Sequence, residues 1–487
     1  MTMNSKVSIS PARAVAAILI LRLVTLPFLP FVDPSEARFA ASAAHMASSA
    51  NWVTPMIHLG QEGWVPYWAK PPLHVWFAAL FFRLFGVHEW AARLPAFLDF
   101  SLIVGMLITL TRKIGRVEAG EKASAILLTT IGIFIFGFSC ITDSTLSACV
   151  SCALMSFALC AEESKDTKKA RTWSHLFFLF LGAGVLTKGP VAVVLVGGSL
   201  FFWLLIRNAW RELARLSWVS GFIIFLGVTV PWYLAAEHVT PGFLKYYFVQ
   251  ENFLRYVSSH ADIRYGSLHK QPYGMIWPML LGVTAPWCFV LFLFPFKPAA
   301  AWQRIKGDRW LSFALCWGVF PALFFTLARQ VLTTYVFPGM PGLALAAALA
   351  LEGKPREPAF KKISLWLALI YSALLLIAWP FAGTMLSTKK LAQSISERDF
   401  SPRVVGVIVR DPHSLRLYGE SYGERSFSVD AGLTPKEALE RALPIILSRE
   451  QDRELLSDPA LNFGAHCNVA SKIGEWDEFI CPTNTEK

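Results

Sequence analysis

Residues 22–38 read RLVTLPFLPFVDPSEAR. An apolar run closes on two carboxylates and an arginine, with a proline between the acids. The first half has the composition of the end of a membrane-spanning helix. The second half has two readings. Asp33-Pro34-Ser35-Glu36 has the form of a helix start, with Asp at the N-cap, Pro at N1 and Glu at N3. The same acids, where a helix leaves a bilayer, also suit the acidic centre of an active site at the membrane surface.

Composition argues for the bilayer. Of 487 residues, 54% are apolar and 16% are charged, and a soluble domain of that balance would expose too much hydrocarbon. The 18 Trp and 38 Phe fit as well, because aromatic rings collect at lipid–water interfaces. Apolar stretches of spanning length occur at about 14–31, 95–111, 123–139, 144–161, 174–187, 189–206, 218–235, 275–296, 310–327, 336–351 and 363–384. The first has no A-x-A-like cleavage site after it and reads as an anchor. Basic clusters in the N-terminus and at 112–122, 165–171, 207–215, 297–309 and 354–362 all fall on one side if the helices alternate, and the positive-inside rule makes that side the cytoplasm. With its charge accounted for in this way, the net +11 carries no expectation of nucleic acid.

The expected class is therefore an all-α polytopic membrane protein of about 11–13 transmembrane helices. Parity leaves the apolar stretch 72–86, PLHVWFAALFFRLFG, as a juxtamembrane or re-entrant helix at the outer surface. The expected organisation is a transmembrane domain, 1–387, with outer loops at 32–94 and 236–274, followed by a small α/β domain, 388–487, on the outer face. That tail has a strand-like VVGVIV at 404–409, a turn-rich GESYGERS and a capping-box start at Thr434 and Glu437. Six of the eight Cys fall in or at the ends of apolar segments, while Cys467 and Cys481 lie in the tail. An exported tail would allow those two to pair.

The polar residues left on the outer side gather at one boundary. Asp33, Glu36, Arg38 and Lys70 lie in the first loop, with Arg93 at its end. Asp143 follows in CITDSTLS and Lys188 in LTKGP; Arg255, His269, Arg329 and Tyr335 come later. An ionisable group at the bilayer centre costs about 2.5–3.5 kcal/mol, so such groups usually mark a pathway or a site. Many cations with a few carboxylates suit a phosphate on a lipid and a base or sugar-hydroxyl acceptor beside it. Bland roles compete. Lys70 and Lys188 could be snorkelling interface lysines. Asp143 could cap the helix after it, and Arg22 could pair with Asp99 as structural glue. His45, His58 and His74 share the first loop without a known ligand spacing, so no metal is expected there.

These landmarks resemble the membrane glycosyltransferases that use polyprenyl-phosphate sugars, the bacterial lipid A aminoarabinose transferases and related protein O-mannosyltransferases of the GT-C fold. The resemblance runs from about residue 20 to residue 350, through DPSEARFAASAAHM and NWVTP, YWAKPPLHVWFAALFFRLFGVHEWAARLP, TDSTL, LTKGP, PWYLAAE, PGFLKYYFVQENFLRYV, HKQPYGMIWPMLLGVTAPW and ARQVLTTYVFPGMP. It implies transfer of a sugar from a polyprenyl (undecaprenyl) phosphate to a cell-envelope acceptor such as lipid A or lipopolysaccharide core, by inverting displacement. Lys70, Arg255 and Tyr335 would contact the lipid phosphate, with Arg329 near them. Asp143 would face sugar or acceptor, a first-loop carboxylate would be the base, and Arg93 would support that loop. The implied protein is a monomer in the bacterial inner membrane with its active site and tail toward the periplasm. Two positions depart from the pattern. Ser35 stands where the first member of an acidic pair is usual, leaving Asp33, Glu36 or Asp143 as base. Ala69 stands before KPPL where a metal-holding Glu is common, so no metal cofactor is expected. A lipid transporter would instead predict symmetric halves and helices broken at the midplane, which the sequence does not show; a protein O-mannosyltransferase-like enzyme and a non-catalytic relative remain alternatives.

Overall fold

The computed structural model describes residues 11–165, 167–257, 264–265, 271–292, 298–352, 363–374, 376–377, 387–400, 402–408, 412–421, 423–449 and 453–481. The chain divides into two compact units. One comprises Met1–Leu26, Trp68–His74 and Arg93–Ala373; the other comprises Pro27–Tyr67, Val75–Ala92 and Leu374–Lys487.

Each apolar stretch in the sequence contains a helix. The first nine helices are α1 Pro11–Thr25, α2 Ser35–Ser49, α3 Leu73–Phe85, α4 Glu89–Lys113, α5 Val117–Thr129, α6 Thr142–Glu162, α7 Lys168–Lys188, α8 Val191–Arg207 and α9 Trp218–Val239. Later apolar helices include Ile276–Thr284, Arg309–Phe325, Met340–Leu351 and Ile363–Leu374. Among the described residues four are long and apolar enough to cross a membrane by length and composition: α4, α6, α9 and Thr333–Leu351. The 13-residue α3 is too short for a span of 20 residues or so.

Burial in the helical unit follows side-chain size. Every residue of α6 from Thr142 to Ala161 is buried. Its sequence, TDSTLSACVSCALMSFALCAE, mixes Ser, Ala and Cys into all faces, so neighbouring helices approach from every direction. The helices Arg309–Phe325 and Met340–Leu351 cross as closely: a Cβ on Gly342 would lie 2.7 Å from the Gly318 nitrogen. By contrast α9 presents Val219, Phe222, Ile223 and Leu234 outward, each more than half exposed. A continuous apolar outer face of this kind suits lipid rather than water.

Arg22 and Asp99, expected to pair, do not. The Arg22 guanidinium lies 4.6 Å from the ring centroids of both Phe134 and Phe138. Asp99 accepts from the Thr145 hydroxyl at 2.7 Å, and Thr145 in turn meets His74 Nδ1 at 2.9 Å. Two aromatic faces replace the carboxylate as partner to the cation, and a hydroxyl bridge leaves Asp99 hydrogen-bonded within the bundle.

The second unit carries the strands. A hairpin pairs β1 Met56–Leu59 with β2 Gly63–Pro66. The polar tail forms a five-stranded sheet from β3 Val404–Ile408, β4 Ser428–Leu433, β5 Ile445–Arg449, β6 Asn468–Ile473 and β7 Trp476–Ile480, in the order β4-β3-β5-β7-β6. β3 runs parallel to β4 and β5; β7 is antiparallel to β5 and β6. Thr434 and Glu437 form the expected capping box at the helix Pro435–Glu440. The GES of the turn-rich GESYGERS instead closes a helix, His413–Ser421, whose Leu415, Leu417 and Tyr418 are buried. Burial of that apolar face outweighs the local turn signal.

Ile408, Leu433, Leu443, Ile446, Phe463 and Phe479 fill the core of this sheet beside the disulfide Cys467–Cys481. The bond closes a loop with a sequence separation of 14 residues, worth about 3 kcal/mol in the chain-entropy picture. Cys467→Ser is expected to make residues 388–481 of the full-length protein distinctly more sensitive to limited proteolysis, and reductant is expected to do the same to the wild type. Equal resistance in all three samples would show that the disulfide adds no stability.

Candidate active site

The Lys70 ammonium donates to Glu251 Oε1 at 2.7 Å and to its neighbour Ala69 O at 2.8 Å. Arg255 Nη1 donates to the same Glu251 oxygen at 2.5 Å. One carboxylate, with 4% of its side chain exposed, thus joins two cations that are 17% and 18% exposed. Glu251 and Arg255 stand four residues apart where the π-helical Tyr246–Leu254 gives way to Arg255–Val257. That spacing puts both side chains on one face. Trp68 anchors the approach to Lys70, donating to Thr240 Oγ1 at 3.2 Å and packing against Tyr246.

A second pair lies within electrostatic reach. Lys188, the last residue of α7, donates to Asp143 Oδ1 at 2.6 Å. Asp143 is in the first turn of α6. A cation at a helix C-terminus and an anion at a helix N-terminus each complement the local dipole. Asp143 does not cap its own helix, as the sequence allowed; its carboxylate is turned to Lys188. The Lys188 ammonium also stands 4.2 Å from the Tyr335 ring centroid. The turn after Lys188 admits no side chain, since Gly189 has φ +79° and a Cβ there would lie 2.0 Å from the Tyr247 hydroxyl.

Burial pushes the Lys70 ammonium below the ordinary lysine value; Glu251 and Tyr335 oppose the shift, and Arg255 and Lys188 add to it. Lys70, Arg255, Lys188, Tyr335, Asp143 and Glu251 therefore form one electrostatic group. Three cations against two carboxylates leave one positive charge, an arrangement that can take a singly charged phosphate.

Two further predicted residues of the helical unit, Arg329 and Arg93, have other partners. Arg329 sits over Tyr273 at 3.9 Å, and its carbonyl accepts from Gln271 N. Arg93 is buried and donates to Leu26 O at 3.0 Å, which ties down the end of the first apolar segment rather than offering a ligand contact. His269 lies outside the described residues. In the second unit the Arg38 guanidinium lies over Phe39 and Tyr67.

Asp33 is not the N-cap of α2. That position is Pro34, with no side-chain cap hydrogen bond. Asp33 Oδ1 instead accepts from Ser414 N at 3.1 Å, and Oδ2 accepts from the Ser414 hydroxyl. Ser414 is the second residue of His413–Ser421. Asp33 thus caps a helix, but one in the tail, where a carboxylate meets unsatisfied backbone N–H groups. Glu36 is buried, and its Oε2 accepts from Val32 N at 3.2 Å. Tyr418 on the same tail helix donates to Glu89 Oε1 at 2.9 Å and receives the Phe31 N–H at 2.8 Å.

Residues 69–234 match the family model described as dolichyl-phosphate-mannose-protein mannosyltransferase. The chain is 28% identical over 330 residues to the undecaprenyl phosphate-alpha-4-amino-4-deoxy-L-arabinose arabinosyl transferase of Erwinia tasmaniensis, covering 67% of this chain and 56% of that one. Against the protein of the same name from an Enterobacter species it is 27% identical over 358 residues, covering 73% and 61%. The chain therefore spans less than two thirds of the length of these relatives. Among solved structures it superposes on ArnT from Cupriavidus metallidurans bound to undecaprenyl phosphate with a TM-score of 0.75 at 20% identity, covering 96% of this chain and 97% of that one. Against the archaeal oligosaccharyltransferase AglB from Archaeoglobus fulgidus, in complex with an inhibitory peptide and a dolichol-phosphate, the TM-score is 0.52 at 13% identity, with 98% and 74% covered. The chain resembles the polyprenyl-phosphate-sugar glycosyltransferases and shares the fold of these structures.

Lys188→Met alone leaves Asp143 buried without its cation, at an expected cost of about 3–5 kcal/mol. Adding Asp143→Asn is expected to recover at least half of that loss in thermal unfolding of the detergent-purified protein. Strictly additive losses would show that the two side chains are not coupled.

Proposed function

We propose that this protein is an integral-membrane glycosyltransferase that moves a sugar from a polyprenyl (undecaprenyl) phosphate to a cell-envelope acceptor such as lipid A or lipopolysaccharide core. The observation that carries this is the Lys70–Glu251–Arg255 group with Lys188 and Tyr335 within electrostatic reach. The donor and the sugar in the names of the relatives, an undecaprenyl phosphate carrying an amino-arabinose, support the same substrate class.

In the donor the phosphate is a diester with one negative charge. An acceptor hydroxyl attacks the anomeric carbon from the opposite face, the bond from that carbon to the phosphate oxygen breaks, and polyprenyl phosphate leaves with its charge growing toward two. Cations fixed in place before reaction stabilise that growing charge more than the ground state, which is what lowers the barrier. Lys70 and Arg255 fill this role, with Lys188 and Tyr335 as further contributors. No metal is needed for it, and Ala69 before the KPPL motif supplies no metal ligand.

The acceptor proton goes to a carboxylate. We place the base at Glu36 on the resemblance of its loop, although it also accepts from Val32 N, with Asp33 in a positioning role through Ser414 and Asp143 paired to Lys188. The basic clusters support a cytoplasmic face on their side of the membrane, with this chemistry and the tail on the periplasmic side.

Purified protein in vesicles, given an undecaprenyl-phosphate-linked sugar and a lipid A acceptor, is expected to release undecaprenyl phosphate. Lys70→Ala and Arg255→Ala are each expected to slow this by about 10²–10³-fold. Glu36→Gln is expected to abolish release while retaining donor binding; normal release by Glu36→Gln with loss in Asp143→Asn would move the base to Asp143. No release from wild type with lipid A, core or peptide acceptors would remove the enzyme assignment.

The lowered Lys70 value sets an alkaline limit. The ammonium binds phosphate while protonated, below its own pKa, and that binding is lost as pH rises through the depressed value, sooner than for an ordinary lysine near about 10.4. Donor affinity is expected to fall on the alkaline side, and Lys70→Arg is expected to move that fall to higher pH. An unchanged profile in Lys70→Arg would show that another group sets the limit.

A further inference from the structure

Glu251 touches both cations assigned to the leaving phosphate, yet the transfer chemistry has so far given it no task. A carboxylate among cations meant for a phosphate is a competitor for them. Its Oε1 occupies a direction on Lys70 and another on Arg255, and Ala69 O takes a second of the three Lys70 N–H groups. A phosphate arriving here meets cations already half neutralised.

We propose that Glu251 is a charge-matching residue: it holds the Lys70–Arg255 pair to one net positive charge, suited to the singly charged diester donor, and so speeds departure of the more highly charged monoester product. This rests on the polyprenyl-phosphate reading above. The monoester has a second pKa near about 6 and carries roughly −1.5 to −2 at neutral pH. Two unopposed, nearly buried cations would bind such a group tightly in a low-dielectric setting, and the product would then occupy the site. Glu251 removes one unit of that attraction. It lies 2.7 Å from Lys70 and 2.5 Å from Arg255 with 4% of its side chain exposed, so water does little to screen it. Glu251 acts on the reaction through the two cations, which makes it a positioning residue with an electrostatic effect.

The experiment measures binding of two lipids to wild-type protein and to Glu251→Gln in nanodiscs. One lipid is undecaprenyl phosphate; the other is an undecaprenyl-phosphate sugar. Glu251→Gln is expected to tighten the monoester about tenfold and the diester by distinctly less. Steady-state kcat is expected to fall while the single-turnover rate of sugar transfer is kept, because release has become limiting. Equal tightening of both lipids, or weaker binding of both, overturns charge matching; the second result would make Glu251 a scaffold that orients its partners. Should Glu251→Gln not fold, Glu251→Ala is measured against the same two lipids, and the same outcomes support or overturn charge matching. Wild-type protein that binds neither lipid removes the polyprenyl-phosphate reading itself.

Discussion

One carboxylate oxygen, Glu251 Oε1, 181 residues from Lys70 in the chain, joins that lysine to Arg255. Neither cation could be sunk this far from water without it, because an unpaired buried charge carries a penalty of several kcal/mol. The bond fixes where YWAKPP meets the π-helical run before Arg255. It also sets the local charge. With Lys188 paired to Asp143, these described residues keep a single positive charge in a place where screening is weak, which suits the proposed lipid phosphate.

Helix ends bring the charges of this group together. α6 is buried along its whole length because its small residues let neighbours close in. Its first turn then presents Asp143 beside the last residue of α7. Gly189 lets the chain turn at once into α8, with no room for a Cβ against Tyr247. Deeper in the helical unit Asp99 is taken by Thr145, and Arg22 lies against two phenylalanine rings. What the lipid-facing helices leave outward is hydrocarbon.

Much of this was legible in the sequence. Each apolar run read in the sequence contains a helix among the described residues, since hydrophobicity is a property of a segment read in one dimension. Lys70, Arg255, Lys188, Asp143 and Tyr335 stood out because ionisable groups at a membrane boundary are costly. Glu251 was missed, although its position four residues before Arg255 was a visible signal. Asp33 has the sequence form of a cap for α2 but caps another helix: the Ser414 N–H that it accepts lies 381 residues away, on a helix whose last three residues belong to a turn-rich stretch. Arg22 misled for the opposite reason. The nearest acid in the pattern was Asp99, yet aromatic faces, which carry no formal charge to search for, took the cation. Pairings between distant segments depend on packing, and packing is not written in local periodicity.

The central claim is that a lipid phosphate is held by Lys70 and Arg255. The most direct measurement is an experimental structure of the purified protein with undecaprenyl phosphate present. The account predicts the phosphorus within about 4–5 Å of both the Lys70 ammonium and the Arg255 guanidinium, the reach of charge-assisted hydrogen bonds. A phosphate bound at some other cations, with Lys70 and Arg255 still closed on Glu251 alone, would contradict it.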